Sequence, residues 1–201
     1  MKPEPGVDRS NSTAEASRIR EWVDRAQRGD ENAFEHLVDH FKDRAYGLAL
    51  RILRSPADAE EAAQDAFVRA WAALPRFRGE SSFSTWLYRI VARRSFDRAA
   101  LLRSRRGREA PAEAAPEPAD PAGPADSAGL ARRMEHLVHE LPEMQRAVVT
   151  MFYYEDGSVE QVAQALGLPE GTVKTHLSRA RAALRAAWLR DERTGVADAA
   201  R

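Results

Sequence analysis

Several features that are common in proteins are missing from this chain of 201 residues. It has no cysteine, which excludes a disulfide scaffold, a thiolate zinc site, an iron–sulfur cluster and a cysteine nucleophile. No apolar run approaches the 18 residues that a membrane span needs, and the first residues lack the apolar core of a secretory signal. We therefore expect a cytoplasmic protein without membrane insertion.

Isoleucine is also scarce, with 3 residues against 37 alanines. A sheet protein would use many more β-branched residues, whereas alanine, arginine, leucine and glutamate favour helices. The composition therefore predicts an all-α chain.

A net charge is absent as well, because 31 basic residues balance 31 acidic ones. The balance hides blocks: residues 1–75 carry a net charge of −3, 76–108 carry +8, 109–168 carry −8 and 169–201 carry +3. Solvated helix faces are the ordinary explanation of basic blocks. Two such blocks also suggest two separate contacts with a polyanion.

One stretch divides the chain. Residues 109–128 contain five prolines and no large apolar side chain, so they cannot bury enough surface to offset the entropy of ordering. This composition predicts a flexible Ala/Pro-rich linker between two small helical domains. The predicted segments are a disordered tail at 1–16, a domain at 17–106, the linker at 107–128, a domain at 129–190 and a tail at 191–201.

The first domain shows helical spacing with clear start signals. Apolar residues recur at three- and four-residue intervals over residues 34–52, which predicts a helix capped by Asp30. Ser55 and Pro56 predict the start of a second helix, which a break at Leu74-Pro75 ends. Ser82 predicts the cap of a third helix.

The second domain carries the spacing of a helix-turn-helix. Ser158 and Gln161 form a capping box, and Ala163, Gly167 and Val173 occupy relative positions 5, 9 and 15 of a 20-residue window. The small Ala163 allows close helix approach, Gly167 allows a positive φ in the turn, and Val173 fills the angle between the helices. An ordinary helical hairpin with a basic outer face is the alternative.

The second helix of this unit is basic on its outer face. A helix fits the major groove, where Arg and Lys reach guanine or phosphate oxygens. The candidate residues for reading duplex DNA are Thr172, Lys174, Thr175, His176, Ser178, Arg179 and Arg181.

Both halves resemble one family. The segment SVEQVAQALGLPEGTVKTHLSRARAAL resembles region 4 of sigma-70-type sigma factors, although DNA-binding response regulators share a similar helix. The segment DAEEAAQDAFVRAWAALPRFRGESSFSTWLYRIVARRSFD resembles region 2 of the extracytoplasmic-function (ECF) sigma factors. The resemblance covers about residues 26–106 and 130–189, leaving out only the tails and the linker.

This resemblance implies a promoter-specificity subunit of RNA polymerase. Its implied partners are promoter DNA, the polymerase core (through the clamp helices of the largest subunit and the flap) and an anti-sigma factor. The implied core-binding residues, matched to the family's clamp-docking helix, are Asp58, Glu60, Glu61, Gln64 and Asp65. The implied readers of the −10 element are Arg76, Phe77, Arg78, Gly79, Glu80, Ser81, Arg89, Arg93, Arg94 and Arg98. The basic helix described above is the implied reader of the −35 element.

Two other classes of function compete with this interpretation. A helix-turn-helix regulator would bind a promoter without polymerase, whereas a sigma factor should need the core. An enzyme could use two pairs of histidines as metal ligands: His36 and His40, which lie four residues apart beside Glu35 and Asp39, and His136 and His139, which lie three residues apart. No third ligand or catalytic signature accompanies them, so we expect no cofactor, no metal and no catalytic residue.

Overall fold

The computed structural model describes residues 9–106, 127–155 and 157–198, and every regular element in these ranges is helical. The predicted all-α class is thus confirmed. Most of the predicted linker and residues 1–8 lie outside the described residues. The elements are α1 (Arg9–Gln27), α2 (Glu31–Leu53), α3 (Pro56–Ala73), a 3-10 turn (Leu74–Arg76), α4 (Phe83–Arg106), α5 (Ser127–His139), α6 (Glu143–Val149), a π-helical turn (Thr150–Tyr154), α7 (Val159–Leu166) and α8 (Glu170–Asp198).

The first half of the chain is built around α2, which packs against α1, α3 and α4. Its apolar stripe is buried over the whole helix, from Ala33 to Ile52. The buried face of α3 consists only of alanines: Ala59, Ala62, Ala63, Ala66 and Ala70. Such small side chains let α3 lie close to its neighbours, since the distance between helices depends on the side chains at the contact.

The predicted helix starts of the first half are confirmed. The side chain of Asp30 accepts a hydrogen bond from the backbone N–H of Ala33 at 3.1 Å. Ser55 accepts from the N–H of Asp58, and Ser82 accepts at 3.1 Å from the N–H of Thr85. Each bond satisfies one of the backbone donors that a helix N-terminus leaves unpaired.

The second half contains the predicted helix-turn-helix. Ser158 and Gln161 exchange both hydrogen bonds of the capping box, and Gly167 ends α7 with a φ of 64°. Val173 is fully buried between the two helices. The geometry that the spacing predicted is therefore present.

Three helices extend past the predicted segment ends. Helix α1 begins at Arg9, inside the predicted tail 1–16, and α8 continues to Asp198, through most of the predicted tail 191–201. Helix α5 begins at Ser127, inside the predicted linker 107–128. The residues concerned have no breaking proline, and adding a residue to an existing helix is far easier than starting one.

The two halves pack against each other and share one continuous core. Helix α4 of the first half lies against α7 of the second, and α2 lies against α6. The sequence predicted two cores separated by a linker, and it carried no signal for this contact. Of the described helices, none is both long and apolar enough to cross a membrane.

Candidate polymerase and nucleic-acid interfaces

The predicted core-binding residues form an acidic face on α3. The N-terminal position of α3 is set by the Ser55 cap, and its alanine face is turned inward, so the polar residues point outward. Glu60, Glu61 and Gln64 are exposed, and the Gln64 amide donates to the Glu60 carboxylate at 3.2 Å. The face is therefore available to a partner along most of its length.

Two members of this face are already paired with an arginine of α4. Arg98 donates from Nε to Asp58 Oδ1 at 2.7 Å, and its Nη1 lies 2.5 Å from Glu61 Oε1. The hydrogen bond and charge of Asp58, assisted by those of Glu61, raise the pKa of the Arg98 guanidinium. Arg98 was predicted as a DNA contact, so the structure places a predicted −10 residue on two predicted core-binding residues.

A second arginine of α4 repeats this arrangement one turn away. Arg94 lies 3.9 Å from Asp65 and 2.5 Å from Asp97, while Arg69 donates to Asp65 at 2.9 Å. Arg94 and Arg98 are four residues apart, which places both on the face of α4 that meets α3. The sequence analysis did not predict this pairing, although the four-residue spacing of the two arginines indicates that they share one face of α4.

An apolar notch continues the acidic face of α3 toward its C-terminus. Its walls are Phe34 and Glu31 of α2 and Phe67, Val68 and Trp71 of α3, around a volume of about 340 Å³. Val68 is 68% exposed, an unusual position for such a side chain. These residues were not predicted as functional, because Phe67 and Trp71 fit the inward stripe of α3.

The predicted −10 loop follows the 3-10 turn after α3. The side chain of Gln27 in α1 donates to the backbone carbonyls of Leu74 and Phe77, at 3.1 and 2.7 Å. The ring of Phe77 packs on Trp86, with ring centres 5.0 Å apart. The start of the loop is therefore fixed to both α1 and α4.

The loop lines a cleft of about 630 Å³ against α1. Gly79 has a φ of 71°, a left-handed conformation that favours glycine at the turn of the loop. Arg76, Arg78, Gly79 and Glu80 are exposed, whereas Phe77 and Ser81 are half-buried. Side chains on the cleft wall include Arg20, Asp24, Gln27, Phe77, Arg78, Ser81, Ser82 and Phe83.

The remaining predicted −10 residues lie on α4. Arg93 is exposed to solvent. Arg89 donates from Nε to the backbone carbonyl of Gln164 at 2.8 Å, at the end of α7. The four α4 arginines that were predicted to read the −10 element are therefore not equivalent: one is open to solvent, one contacts the second half of the chain and two contact α3.

The predicted −35 residues lie together on α8. Lys174, Ser178 and Arg179 are exposed, and Lys174 lies 3.4 Å from Glu170 one turn earlier. Thr175 donates to the carbonyl of Gly171, which is a helical back-bond within α8. The other members are half-buried Thr172 and His176, and exposed Arg181, whose Nε donates to the Tyr153 hydroxyl at 2.8 Å.

Of the histidines considered as metal ligands, His36 and His40 lie against α1, and His136 and His139 lie on α5. The ring of Trp22 stacks on His36 at 5.2 Å, and His40 lies 3.3 Å from Glu15. Within residues 9–106, 127–155 and 157–198, no three His, Cys, Asp or Glu side chains converge as a metal site.

Both halves of the chain match known families. Residues 37–108 match the family described as Sigma-70 region 2, and residues 131–184 match the family described as Sigma-70, region 4. The ECF RNA polymerase sigma factor SigW of Bacillus subtilis (strain 168) is 33% identical over 177 residues, which cover 83% of this chain and 95% of SigW. This chain belongs to the ECF sigma factors.

Further comparisons agree with this membership. The RNA polymerase sigma-H factor of Pseudomonas aeruginosa is 34% identical over 176 residues, which cover 81% of this ECF sigma factor and 89% of the relative. The structure of CnrH in complex with the cytosolic domain of CnrY matches with a TM-score of 0.64 and 27% identity, over 88% of this chain and 99% of that one. The family consists of transcription initiation factors rather than enzymes.

The predicted site residues fall inside the matched regions. The acidic face, the loop and the arginines of α4 lie within residues 37–108, and the basic residues of α8 lie within 131–184. This ECF sigma factor therefore carries each candidate surface in the half of the chain where the family places regions 2 and 4.

Proposed function

We propose that this ECF sigma factor binds core RNA polymerase through α3, reads the −10 element with residues 76–81 and α4, and reads the −35 element with α8. One observation carries the proposal. Residues 58–98 combine an exposed acidic helix face with a loop-lined cleft, and the same chain ends in a basic helix-turn-helix. We assign no catalytic step and no cofactor to the chain itself.

Charge supports the core-binding role of α3. Glu60, Glu61 and Gln64 present acceptors to solvent on adjacent turns, so a partner helix bearing arginines could make several charge-assisted hydrogen bonds. The notch at Val68 adds a place for an apolar side chain of the partner. We propose the clamp helices of the largest polymerase subunit as that partner.

The cleft supports the −10 role of residues 76–81. A base that leaves the duplex needs a pocket with stacking surfaces and polar groups for its edge. The cleft provides aromatic rings at Phe77 and Phe83, and polar side chains at Asp24, Gln27 and Ser81. Exposed Arg78 and Arg93 supply positive charge for the backbone of the single strand.

The exposed face of α8 supports the −35 role. Lys174, Ser178 and Arg179 project from successive turns of the second helix of the helix-turn-helix, the element that enters the major groove in this motif. We also propose that the second half contacts the polymerase flap, as the family resemblance implies.

We further propose an anti-sigma factor as a regulatory partner, acting with this chain in the cytoplasm. The supporting observation is the similarity to CnrH, whose structure contains the cytosolic domain of CnrY.

The experiment that tests the proposed function is a comparison of DNA binding with and without core polymerase. Core enzyme and this chain should form a complex in size-exclusion chromatography, and promoter DNA should be retained only when both are present. A chain that binds the promoter alone with equal affinity would instead be a helix-turn-helix regulator.

A further inference from the structure

The π-helical turn before the helix-turn-helix holds a tyrosine against α8. Tyr153 lies in this turn and is 42% exposed. Its hydroxyl accepts a hydrogen bond from Nε of Arg181 at 2.8 Å, and the guanidinium carbon of Arg181 lies 5.7 Å from the centre of the Tyr153 ring. The ring of Phe152 packs edge-to-face with Tyr153, with ring centres 4.9 Å apart. The tyrosine is therefore fixed by one neighbour and holds the arginine as another.

The arginine keeps most of its hydrogen-bond donors in this contact. A guanidinium has five N–H groups, and the bond to Tyr153 uses one of them. The four N–H groups on Nη1 and Nη2 remain, and a planar set of this kind can bind two oxygens of one phosphate. Arg181 is exposed, and no carboxylate pairs with it in the part of the chain that the structure describes. The side chain therefore offers a positive charge and free donors to an anion.

Arg181 lies where α8 would leave the major groove. It shares one stripe of the helix surface with Lys174, seven residues earlier, and with Arg185, one turn later, and all three are exposed. Seven residues correspond to about 10 Å along the helix axis, whereas the major groove is about 12 Å wide. With Lys174 among the bases, Arg181 therefore lies near the edge of the groove, where the acceptors are phosphate oxygens.

An arginine that is already restrained is well suited to a phosphate. Binding orders a long side chain at a cost in conformational entropy, and a side chain that is held beforehand loses less of it. Tyr153 provides this restraint without neutralising the charge, because a phenol is uncharged at neutral pH. Lys174 differs in this respect, since the carboxylate of Glu170 lies 3.4 Å from its ammonium group and opposes its charge.

We propose that Arg181 binds a phosphate of the DNA backbone at the −35 element, and that Tyr153 is the residue that positions it. The inference rests on the proposed function in one respect, namely that α8 enters the major groove. In this account Arg181 sets the register of α8 on the duplex and reads no base. Tyr153, which the sequence analysis did not select, then belongs to the DNA-binding surface although it lies outside the helix-turn-helix.

The first test measures binding of the full chain to two short labelled duplexes of unrelated sequence, because a phosphate contact does not depend on sequence. Fluorescence anisotropy at about 50 and 200 mM salt gives the salt dependence of the affinity, to which each phosphate contact adds a logarithmic slope of about 0.9. Arg181→Gln should therefore reduce the ratio of the two affinities by about 3.5-fold on both duplexes. The matched control, Arg28→Gln, removes the same charge from an exposed position of the first half and should leave the ratio unchanged.

The second test separates positioning by Tyr153 from a purely structural role. Tyr153→Phe removes only the hydroxyl, so duplex binding should weaken about threefold in the wild-type background and stay unchanged in the Arg181→Gln background. A structural role would weaken binding in both backgrounds. The matched control is Tyr154→Phe, because Tyr154 is 41% exposed but its ring lies 4.1 Å from the guanidinium carbon of Arg51. This control should bind the duplexes as wild type does.

Each of four results would overturn the inference. The first is a wild-type chain whose duplex binding does not depend on salt, and the second is an unchanged salt dependence in Arg181→Gln. The third is a loss confined to one duplex, which would make Arg181 a base reader. The fourth is equal weakening by Tyr153→Phe with and without Arg181. The proposed function is tested separately, by core-dependent retention of promoter DNA with the wild-type chain, and none of these results would change that outcome.

Discussion

Arg98 and Asp58 join the helix proposed to read the −10 element to the helix proposed to bind polymerase. The guanidinium of Arg98 approaches Asp58 Oδ1 with Nε at 2.7 Å and Nη2 at 2.6 Å. The third nitrogen lies 2.5 Å from Glu61. Two surfaces that the family resemblance assigns to separate partners therefore share one ion-pair network, so a substitution on one surface will change the ion pairs of the other.

Removing this link should destabilise the first half of the chain. We expect a double-mutant cycle of Arg98→Ala and Asp58→Ala to give a coupling free energy of about 1 kcal/mol, because both side chains remain partly exposed and solvent screens the pair. Urea denaturation followed by circular dichroism measures it. Purely additive effects of the two substitutions would show that the pair contributes nothing.

Charge reversal on the outer edge of α3 should weaken core binding. We choose Glu60→Arg with Gln64→Arg, since these residues bond to each other and not to α4. Affinity for core should fall by about tenfold or more, because like charges would face the arginines of the partner. The matched control is Glu35→Arg with Asp39→Arg, two exposed positions on α2. Equal core binding by both double variants would contradict the assignment of this face.

Substitutions on α8 should separate base contacts from phosphate contacts. Loss of a base contact in Lys174→Ala or Arg179→Ala should cost about 1–3 kcal/mol and relax sequence preference at one position of the −35 element. Loss of a phosphate contact should weaken binding to all DNA sequences alike and reduce the salt dependence of the binding affinity. Binding of holoenzyme to promoter variants at several salt concentrations distinguishes the two. Unchanged binding in both variants would mean that α8 is not the reader.

An added methyl group should destabilise the helix-turn-helix at Gly167, which lies in the turn, but not at Gly171, which lies in α8. Gly167 has a φ of 64°, so Gly167→Ala should lower the free energy of unfolding by about 1–2 kcal/mol. Gly171→Ala is the matched control, because nothing lies within 4 Å of the added atom and alanine favours the helix. Thermal unfolding of both variants provides the comparison, and similar losses in the two would contradict the role of the positive φ.

Acid should weaken the packing around His139. Burial lowers the pKa of this imidazole, and the nearby Arg146 and Arg54 lower it further. The unfolded chain therefore takes up a proton at a higher pH than the folded chain does. The stabilisation that comes from the neutral imidazole of His139 is complete above the unfolded pKa of about 6.5, and it is lost as the pH falls below that value. His139→Gln should lose less stability than wild type between about pH 7.5 and 5.5, and an equal loss would exclude this cause.

The local features of the fold followed directly from the sequence. Asp30, Ser55, Ser82 and the Ser158–Gln161 box each cap a helix, because a side-chain oxygen next to unpaired backbone N–H groups acts within a few residues. The shared outward face of the acidic residues on α3 was predictable for a similar reason, since helical spacing assigns residues to faces, whereas the roles proposed for these residues came from the family resemblance. Helix ends were less predictable, as α8 shows by continuing to Asp198.

Contacts between distant segments could not be predicted in the same way. Arg146 reaches backbone carbonyls of α2, and a backbone acceptor leaves no trace in a sequence. The engagement of Arg89 by the Gln164 carbonyl is of the same kind. The pairing of Arg98 with Asp58 and Glu61 depends on how α4 crosses α3, which side-chain packing decides.

The central claim is that this ECF sigma factor directs polymerase to promoters through these surfaces. The most direct measurement is run-off transcription of fragmented host genomic DNA by purified core polymerase, with sequencing of the RNA 5′ ends. Added wild-type chain should produce new start sites preceded by two shared sequence elements, and these should disappear with the Glu60→Arg, Gln64→Arg variant. The same start sites from core alone, or no new start sites with the wild-type chain, would contradict the account.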